Sequence, residues 1–267
     1  MTATATSRPH SSATPAGMNL LELRGVTVSF DGFLALNDLN LQLAPGELRA
    51  VIGPNGAGKT TFLDVITGKV RPTKGDVLFR GRSLVGRSEH HISRLGIGRK
   101  FQTPRVYDNL TPRRNLELAV RGPHDPASLL FGSLTAQQRD RVQHLLSVVG
   151  LERQALVPAG GLSHGQKQWL EIAMLVAQDP ELLLVDEPVA GLTDEETART
   201  ADLLKQLAGD HTVLVIEHDM EFIRDLQAPV TVLHEGHVLC EGSMDQVQND
   251  PRVIEVYLGS DNQEDAA

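Results

Sequence analysis

Leu48-Arg49-Ala50-Val51-Ile52 runs directly into Gly53-Pro54-Asn55-Gly56-Ala57-Gly58-Lys59-Thr60-Thr61, and Phe62-Leu63-Asp64-Val65-Ile66 follows. The first run is largely apolar and reads as a buried strand, while the last carries its apolar side chains at helical spacing and is stopped by Gly68. Between them GxxxxGK[ST] is satisfied at every fixed position. Strand, glycine-rich loop and helix in that order bring backbone N–H groups and the positive end of a helix dipole to one point. Lys59 adds a full charge, and the Thr60 hydroxyl can ligate magnesium. The expected ligand is the phosphate chain of a nucleotide.

Magnesium needs an acidic support at the end of a neighbouring strand. Glu181-Leu182-Leu183-Leu184-Val185-Asp186-Glu187 supplies four apolar residues and then two carboxylates, a Walker B pattern. Asp186 is expected to orient the metal, and Glu187 to act as general base or polariser for the attacking water. A further apolar strand, Val213-Leu214-Val215-Ile216, leads into Glu217-His218-Asp219. With a helix near residues 195–207 between these strands, the alternation predicts an α/β fold whose parallel sheet is wrapped by helices.

Around this core, residues 20–43 carry short strand-like runs with turns at Asp31-Gly32 and Pro45-Gly46, and residues 76–84 carry another. They predict an N-terminal antiparallel β subdomain. Residues 99–162 read as largely helical with a Pro/Gly/Ser break at 122–132, and are expected to form an inserted α-helical subdomain. Asn249-Asp250-Pro251 opens a C-terminal helix with Val253, Ile254, Tyr257 and Leu258 on one side. The expected division is a disordered tail over 1–17, core and antiparallel subdomain over 18–98, helical subdomain over 99–162, the rest of the core over 163–245, and a C-terminal helix and tail over 246–267. The Asp/Glu/Gln-rich end is expected to be disordered.

Composition limits the partners. In 267 residues, 40% hydrophobic and 22% charged, the net charge is -9 and only 4% are aromatic. That balance disfavours nucleic acid and anionic lipid, which reward a basic face. No run approaches the roughly 18 apolar residues that cross a bilayer. The single cysteine, Cys240 in Val238-Leu239-Cys240, reads as a small buried hydrophobe. His90-His91 has no companion ligands at metal-binding spacing and reads as solvated surface.

Leu162-Ser163-His164-Gly165-Gln166 resembles the LSGGQ signature of ABC ATPases, and a helix-like run follows it. A Ser hydroxyl and backbone amides at a helix N-terminus make a second anion site, although Ser163 also reads as an ordinary N-cap. The resemblance covers nearly the whole chain from Leu20 onward, in the family's order of motifs. It implies that Ser163, Gly165 and Gln166 face a γ-phosphate held on the P-loop of an opposite subunit. It implies too that Gln102, in Arg99-Lys100-Phe101-Gln102-Thr103-Pro104, joins the magnesium sphere and reports to a transmembrane partner. His218 matches the switch histidine on the γ-phosphate, and Phe30 the aromatic that stacks on adenine, with Phe33 its rival and plain core the alternative for both. Where most relatives carry SALD, this chain has Ala190-Gly191-Leu192-Thr193.

Within the family the chain resembles ATPases of branched-chain amino-acid importers. Its strings around Gln102 and Ser163, with Glu241-Gly242-Ser243-Met244-Asp245, look most like the D-type ATP-binding subunit of urea importers. The resemblance implies an ATPase on the cytoplasmic face of a membrane that uses ATP and Mg2+. Its partners would be two integral membrane permease subunits, a second copy or a paralogous ATP-binding subunit, and indirectly an extracytoplasmic solute-binding protein. Urea is the expected solute and branched-chain amino acids the alternative, with a soluble non-transport ABC ATPase as the rival class.

Overall fold

Strand β3 (Leu48–Ile52), which feeds the glycine-rich loop, sits inside a six-stranded sheet of order β10-β9-β3-β8-β7-β6. The protein is described by a computed structural model covering residues 19–100, 105–121 and 134–264. β3 pairs in parallel with β8 (Thr212–Ile216) and β9 (Val230–His234). β7 (Leu182–Asp186) and β6 (Ile97–Lys100) extend the parallel ladder, and β10 (His237–Gly242) closes the other edge in antiparallel sense. A second sheet, β2-β1-β4-β5, is antiparallel throughout: β1 (Leu21–Phe30), β2 (Phe33–Leu43), β4 (Lys74–Phe79) and β5 (Arg82–Ser83). At the tip of its first hairpin Asp31 and Gly32 both take positive φ, 49° and 91°. That two-residue geometry suits the right-handed twist of the paired strands.

Nine α-helices surround the sheets among the described residues: α1 (Lys59–Ile66), α2 (Glu89–Arg94), α3 (Pro112–Arg121), α4 (Ala136–Val148), α5 (His164–Val176), α6 (Asp194–Leu207), α7 (Met220–Leu226), α8 (Met244–Gln248) and α9 (Pro251–Glu264). The core strands are buried on both faces, so their alternating residues feed two apolar clusters. Ala50, Ile52, Leu183, Val185, Val213 and Val215 join side chains of α4, α5, α6 and α7 on one face. Val51, Leu182, Leu184, Leu214 and Ile216 join α1 and the antiparallel sheet on the other.

The α/β fold and its antiparallel subdomain stand as the sequence predicts. Two expectations need correction. Arg99 and Lys100, assigned to the start of the helical subdomain, are the last residues of β6 and belong to the parallel sheet. The polar C-terminal stretch, expected to be disordered, continues α9 as far as Glu264. Cys240 is half-buried in β10. The expected tail over 1–17 and the break at 122–132 lie outside the described residues. No helix among the described residues is long and apolar enough to cross a membrane.

Candidate nucleotide site

Three strand ends converge in sheet order. β3 delivers the glycine-rich loop, β8 beside it delivers Glu217 and His218, and β7 beside that delivers Asp186 and Glu187. β6 is the next strand in the row; Phe101, Gln102 and Pro104 lie outside the described residues. This is the arrangement expected of a parallel sheet, whose loops after the C-terminal strand ends carry the chemistry.

The loop is braced from below. A Cβ at Gly53 would lie 2.3 Å from the Leu233 carbonyl oxygen, so only glycine lets β9 approach there. Gly58, the N-cap of α1, adopts φ 98° and turns the chain into the helix. Ala57 is buried, Pro54 and Thr61 are half-buried, and Asn55, Gly56 and Thr60 face solvent. The Gly236 N–H donates to the Ala57 carbonyl at 3.1 Å and the Asn37 N–H to the Gly236 carbonyl at 2.8 Å, tying the loop to β2 through the β9–β10 turn. The Lys59 ammonium bends across the loop and donates to the carbonyls of Gly53 (2.5 Å) and Pro54 (3.0 Å).

Charge is concentrated beneath this loop. Burial pulls the Lys59 amine below its ordinary value, against the upward pull of Glu187, Asp186 and Glu217. Asp186 is 7% exposed; burial pushes its carboxyl up, while a hydrogen bond and the charge of Arg99 hold it down. The Arg99 guanidinium spans from Asp64 on α1 (2.5 Å) to Asp186 (3.2 Å), so the metal-binding candidate is fixed to the helix that follows the loop. Glu187 has φ 44°, uncommon for a residue with a Cβ, and its N–H donates to the Ile216 carbonyl at 2.9 Å. Its carboxylate lies 3.8 Å from His218 Nδ1. Thr60 lies in the first turn of α1 and Asp186 ends β7, so the site offers a hydroxyl and a carboxylate, the oxygen ligands that a hard cation takes. A cradle of glycines, one lysine and these oxygen ligands fits a magnesium-bound triphosphate.

Ser163 caps α5. Its hydroxyl accepts from the Gln166 N–H (3.1 Å), and the Gln166 side chain accepts from the Ser163 N–H (3.0 Å), a reciprocal capping box. The same hydroxyl donates to Glu196 of α6 at 2.9 Å. A Cβ at Gly165 would lie 2.6 Å from the carboxyl carbon of Glu196, so a larger residue there would displace that side chain from Ser163. His164 enters as the first residue of α5, its ring Nε2 lying 3.0 Å from Gln168 Nε2. Phe30 and Phe33 face each other at the hairpin tip and are 48% and 65% exposed, which removes the plain-core alternative for both.

Sequence reasoning missed Arg99, Lys100 and Glu217 as members of this neighbourhood. Lys100 is fully buried, 4.0 Å from Glu171 of α5. Glu171 in turn accepts from the Arg105 N–H at 3.1 Å. One signal was available: an ionisable residue directly after a wholly apolar strand, as in Ile216-Glu217, is placed where burial makes it consequential.

A model of the ABC transporter family matches residues 36–190, and one of the branched-chain amino acid ATP-binding cassette transporters matches residues 237–262. The high-affinity branched-chain amino acid transport ATP-binding protein LivG of Escherichia coli K12 is 37% identical over 250 residues, covering 90% of this chain and 98% of LivG. A crystal structure of an ABC transporter's ATP-binding cassette in its ADP conformation superposes with TM-score 0.78 at 26% identity, over 91% of this chain and 99% of that one. A dimeric cassette in a post-hydrolysis state bound to ADP and Pi superposes with TM-score 0.69 at 28% identity, over 84% of this chain and 98% of that one. Loop, strand ends, capped signature turn and these likenesses agree: the chain belongs to the ABC transporter family, as an ATP-hydrolysing, ATP-binding subunit of an importer.

Proposed function

We propose that this chain hydrolyses ATP to power uptake of branched-chain amino acids through separate membrane subunits. The observation that carries the solute is the match of residues 237–262 to the branched-chain amino acid transporters, in a chain that aligns with LivG almost end to end. This favours the alternative over urea. None of the strings that suggested urea would touch a solute, and one of them, Glu241-Gly242-Ser243-Met244-Asp245, falls inside the segment that matches the branched-chain amino acid transporters.

In the proposed mechanism Lys59 leaves the Gly53 and Pro54 carbonyls to neutralise the β- and γ-phosphates, while the amides of Gly56, Gly58 and Thr60 surround them. Phe30 or Phe33 stacks on adenine. Thr60, Asp186 and Gln102 would hold magnesium, which when bound draws charge from the phosphate oxygens. Glu187 takes a proton from the attacking water, whose oxygen bonds to the γ-phosphorus as the bond to ADP breaks, and His218 donates to the γ-phosphate. Ser163 with the Gly165 and Gln166 amides receives the γ-phosphate of ATP bound to a partner ATP-binding subunit, a copy or a paralogue. Tyr107, 57% exposed and held by its N–H to Asn115 (2.8 Å), would pass the motion with Phe101 and Pro104 to a permease subunit at the inner face of the membrane. An extracytoplasmic binding protein would deliver the solute, and nucleic acid has no part.

The test replaces Glu187 with Gln in the full chain. Mg-ATP binding should persist while turnover falls on the order of 100-fold, the scale of a lost general base. Cells carrying the variant should lose uptake of labelled leucine and keep uptake of labelled urea. Normal turnover would remove Glu187 from its role, and loss of urea uptake with leucine uptake intact would reverse the solute.

A further inference from the structure

Glu217 lies at the floor of the site, and none of the roles above uses it. It follows β8, where every residue is buried, and is itself 1% exposed. A carboxylate in such a place needs its oxygens satisfied. Oε1 accepts from the Val189 N–H at 3.1 Å, and Oε2 from the N–H groups of His218 at 2.9 Å and Asp219 at 3.4 Å. Its own N–H donates to the Val51 carbonyl at 3.3 Å. One residue therefore joins the strand that feeds the phosphate loop, the turn just past Glu187 and the turn that carries His218. Glu187 holds a left-handed conformation that costs about 1–3 kcal/mol and persists only where the surroundings fix it. The Ile216 carbonyl fixes the chain at Glu187 itself, and Glu217 Oε1 fixes it two residues on.

We infer that Glu217 is a positioning residue for ATP hydrolysis, its buried carboxylate clamping the backbone beyond Glu187 to the His218 turn so that the Glu187 side chain stays aimed at the attacking water. The inference deepens the proposed role of Glu187 and rests on it. Glutamine has nearly the same volume, but one of its two terminal atoms is a donor. Either way round, a backbone N–H that now meets an oxygen would meet an NH2 group. The Val189 tether is lost in one orientation and the His218 tether in the other. Burial pushes the Glu217 carboxyl above its ordinary value, against the downward pull of those three amides.

The experiment compares Glu217→Gln, Glu187→Gln and the double variant of the full chain. Glu217→Gln should lower kcat about 10- to 100-fold, the scale of a misplaced catalytic group. KM and equilibrium Mg-ATP affinity should stay within about twofold, with the thermal midpoint held within a few degrees. In single-turnover measurements, adding Glu217→Gln to Glu187→Gln should cost less than about threefold, because the clamp acts through a base already removed. A kcat within twofold of the parent, a full further loss in the double variant, or a rise in KM with kcat unchanged would overturn the inference. Normal turnover in Glu187→Gln would instead remove the reading of Glu187 itself. Should Glu217→Gln not fold, Glu217→Asp decides: it keeps the charge but is one methylene too short to span both turns. It should lose kcat with KM unchanged, and full activity would overturn the inference.

Discussion

Thr193 departs from the aspartate of the SALD string that the family resemblance would place there, and its side chain has a structural part in this chain. The Thr193 hydroxyl accepts from the Glu196 N–H at 3.3 Å, and the Glu196 carboxylate accepts from the Thr193 N–H at 3.3 Å, a capping box that starts α6. Threonine and aspartate both cap helices through a side-chain oxygen. Glu196 also holds the Ser163 hydroxyl, so the start of α6 and the start of α5 share one carboxylate. Thr193→Ala should cost about 1 kcal/mol, seen as a thermal midpoint lowered by about 2–4 °C, whereas Thr193→Asp should hold the parent midpoint. An unchanged midpoint in Thr193→Ala would mean that the cap does not stabilise α6.

At the scale of elements, β6 is tied to its neighbours by charge as well as by backbone pairing. Arg99 joins α1 to the end of β7 through Asp64 and Asp186, and Lys100 faces Glu171 on α5. Removing one partner of a buried ion pair costs more than the pair contributes, about 3–5 kcal/mol, because the remaining charge is stranded. Arg99→Met should therefore lower the thermal midpoint markedly at neutral pH. The Asp186 carboxyl is already pushed up by burial, and loss of Arg99 would push it further. A carboxyl with a raised folded value contributes stability that is present at low pH and lost as pH rises through that value. The deficit of Arg99→Met against the parent should thus shrink as pH falls from about 7 towards 5, and thermal melts across that range check it. A deficit that widens on acidification would contradict the assignment.

The legibility of the sequence divides along the same line. The strands β3, β7 and β8, the glycine-rich loop and the carboxylates after Val185 were readable because each requirement is local: apolar runs, a fixed glycine spacing, a capping pattern. β6 was not readable as a strand, because Ile97-Gly98-Arg99-Lys100 carries two charges in four residues. Those charges become tolerable only when Asp64, Asp186 and Glu171 arrive from residues far away in the chain. The Glu217 clamp was hidden for a similar reason, since its donor at Val189 sits 28 residues earlier. The polar end of α9 defeated compositional reasoning, because a helix begun at Pro251 and anchored by buried Val253 carries on through polar residues.

For the whole molecule, the two apolar clusters share the same core strands and hold the loop, the carboxylates and His218 on one rigid edge. The signature turn at Ser163 belongs instead to α5, on the face of the sheet that packs against α4, α6 and α7. Composite sites built between two chains would join that edge of one chain to the α5 turn of another, so that ATP binding would close the assembly and hydrolysis would reopen it. The most direct test is a structure of the Glu187→Gln chain with Mg-ATP and its partner ATP-binding subunit. The account predicts that a γ-phosphate held by Lys59 of this chain lies within about 3 Å of the partner's signature serine, while Ser163 makes the reciprocal contact across the interface. A triphosphate bound at Lys59 with Ser163 turned to solvent, or still held only by Glu196, would contradict it.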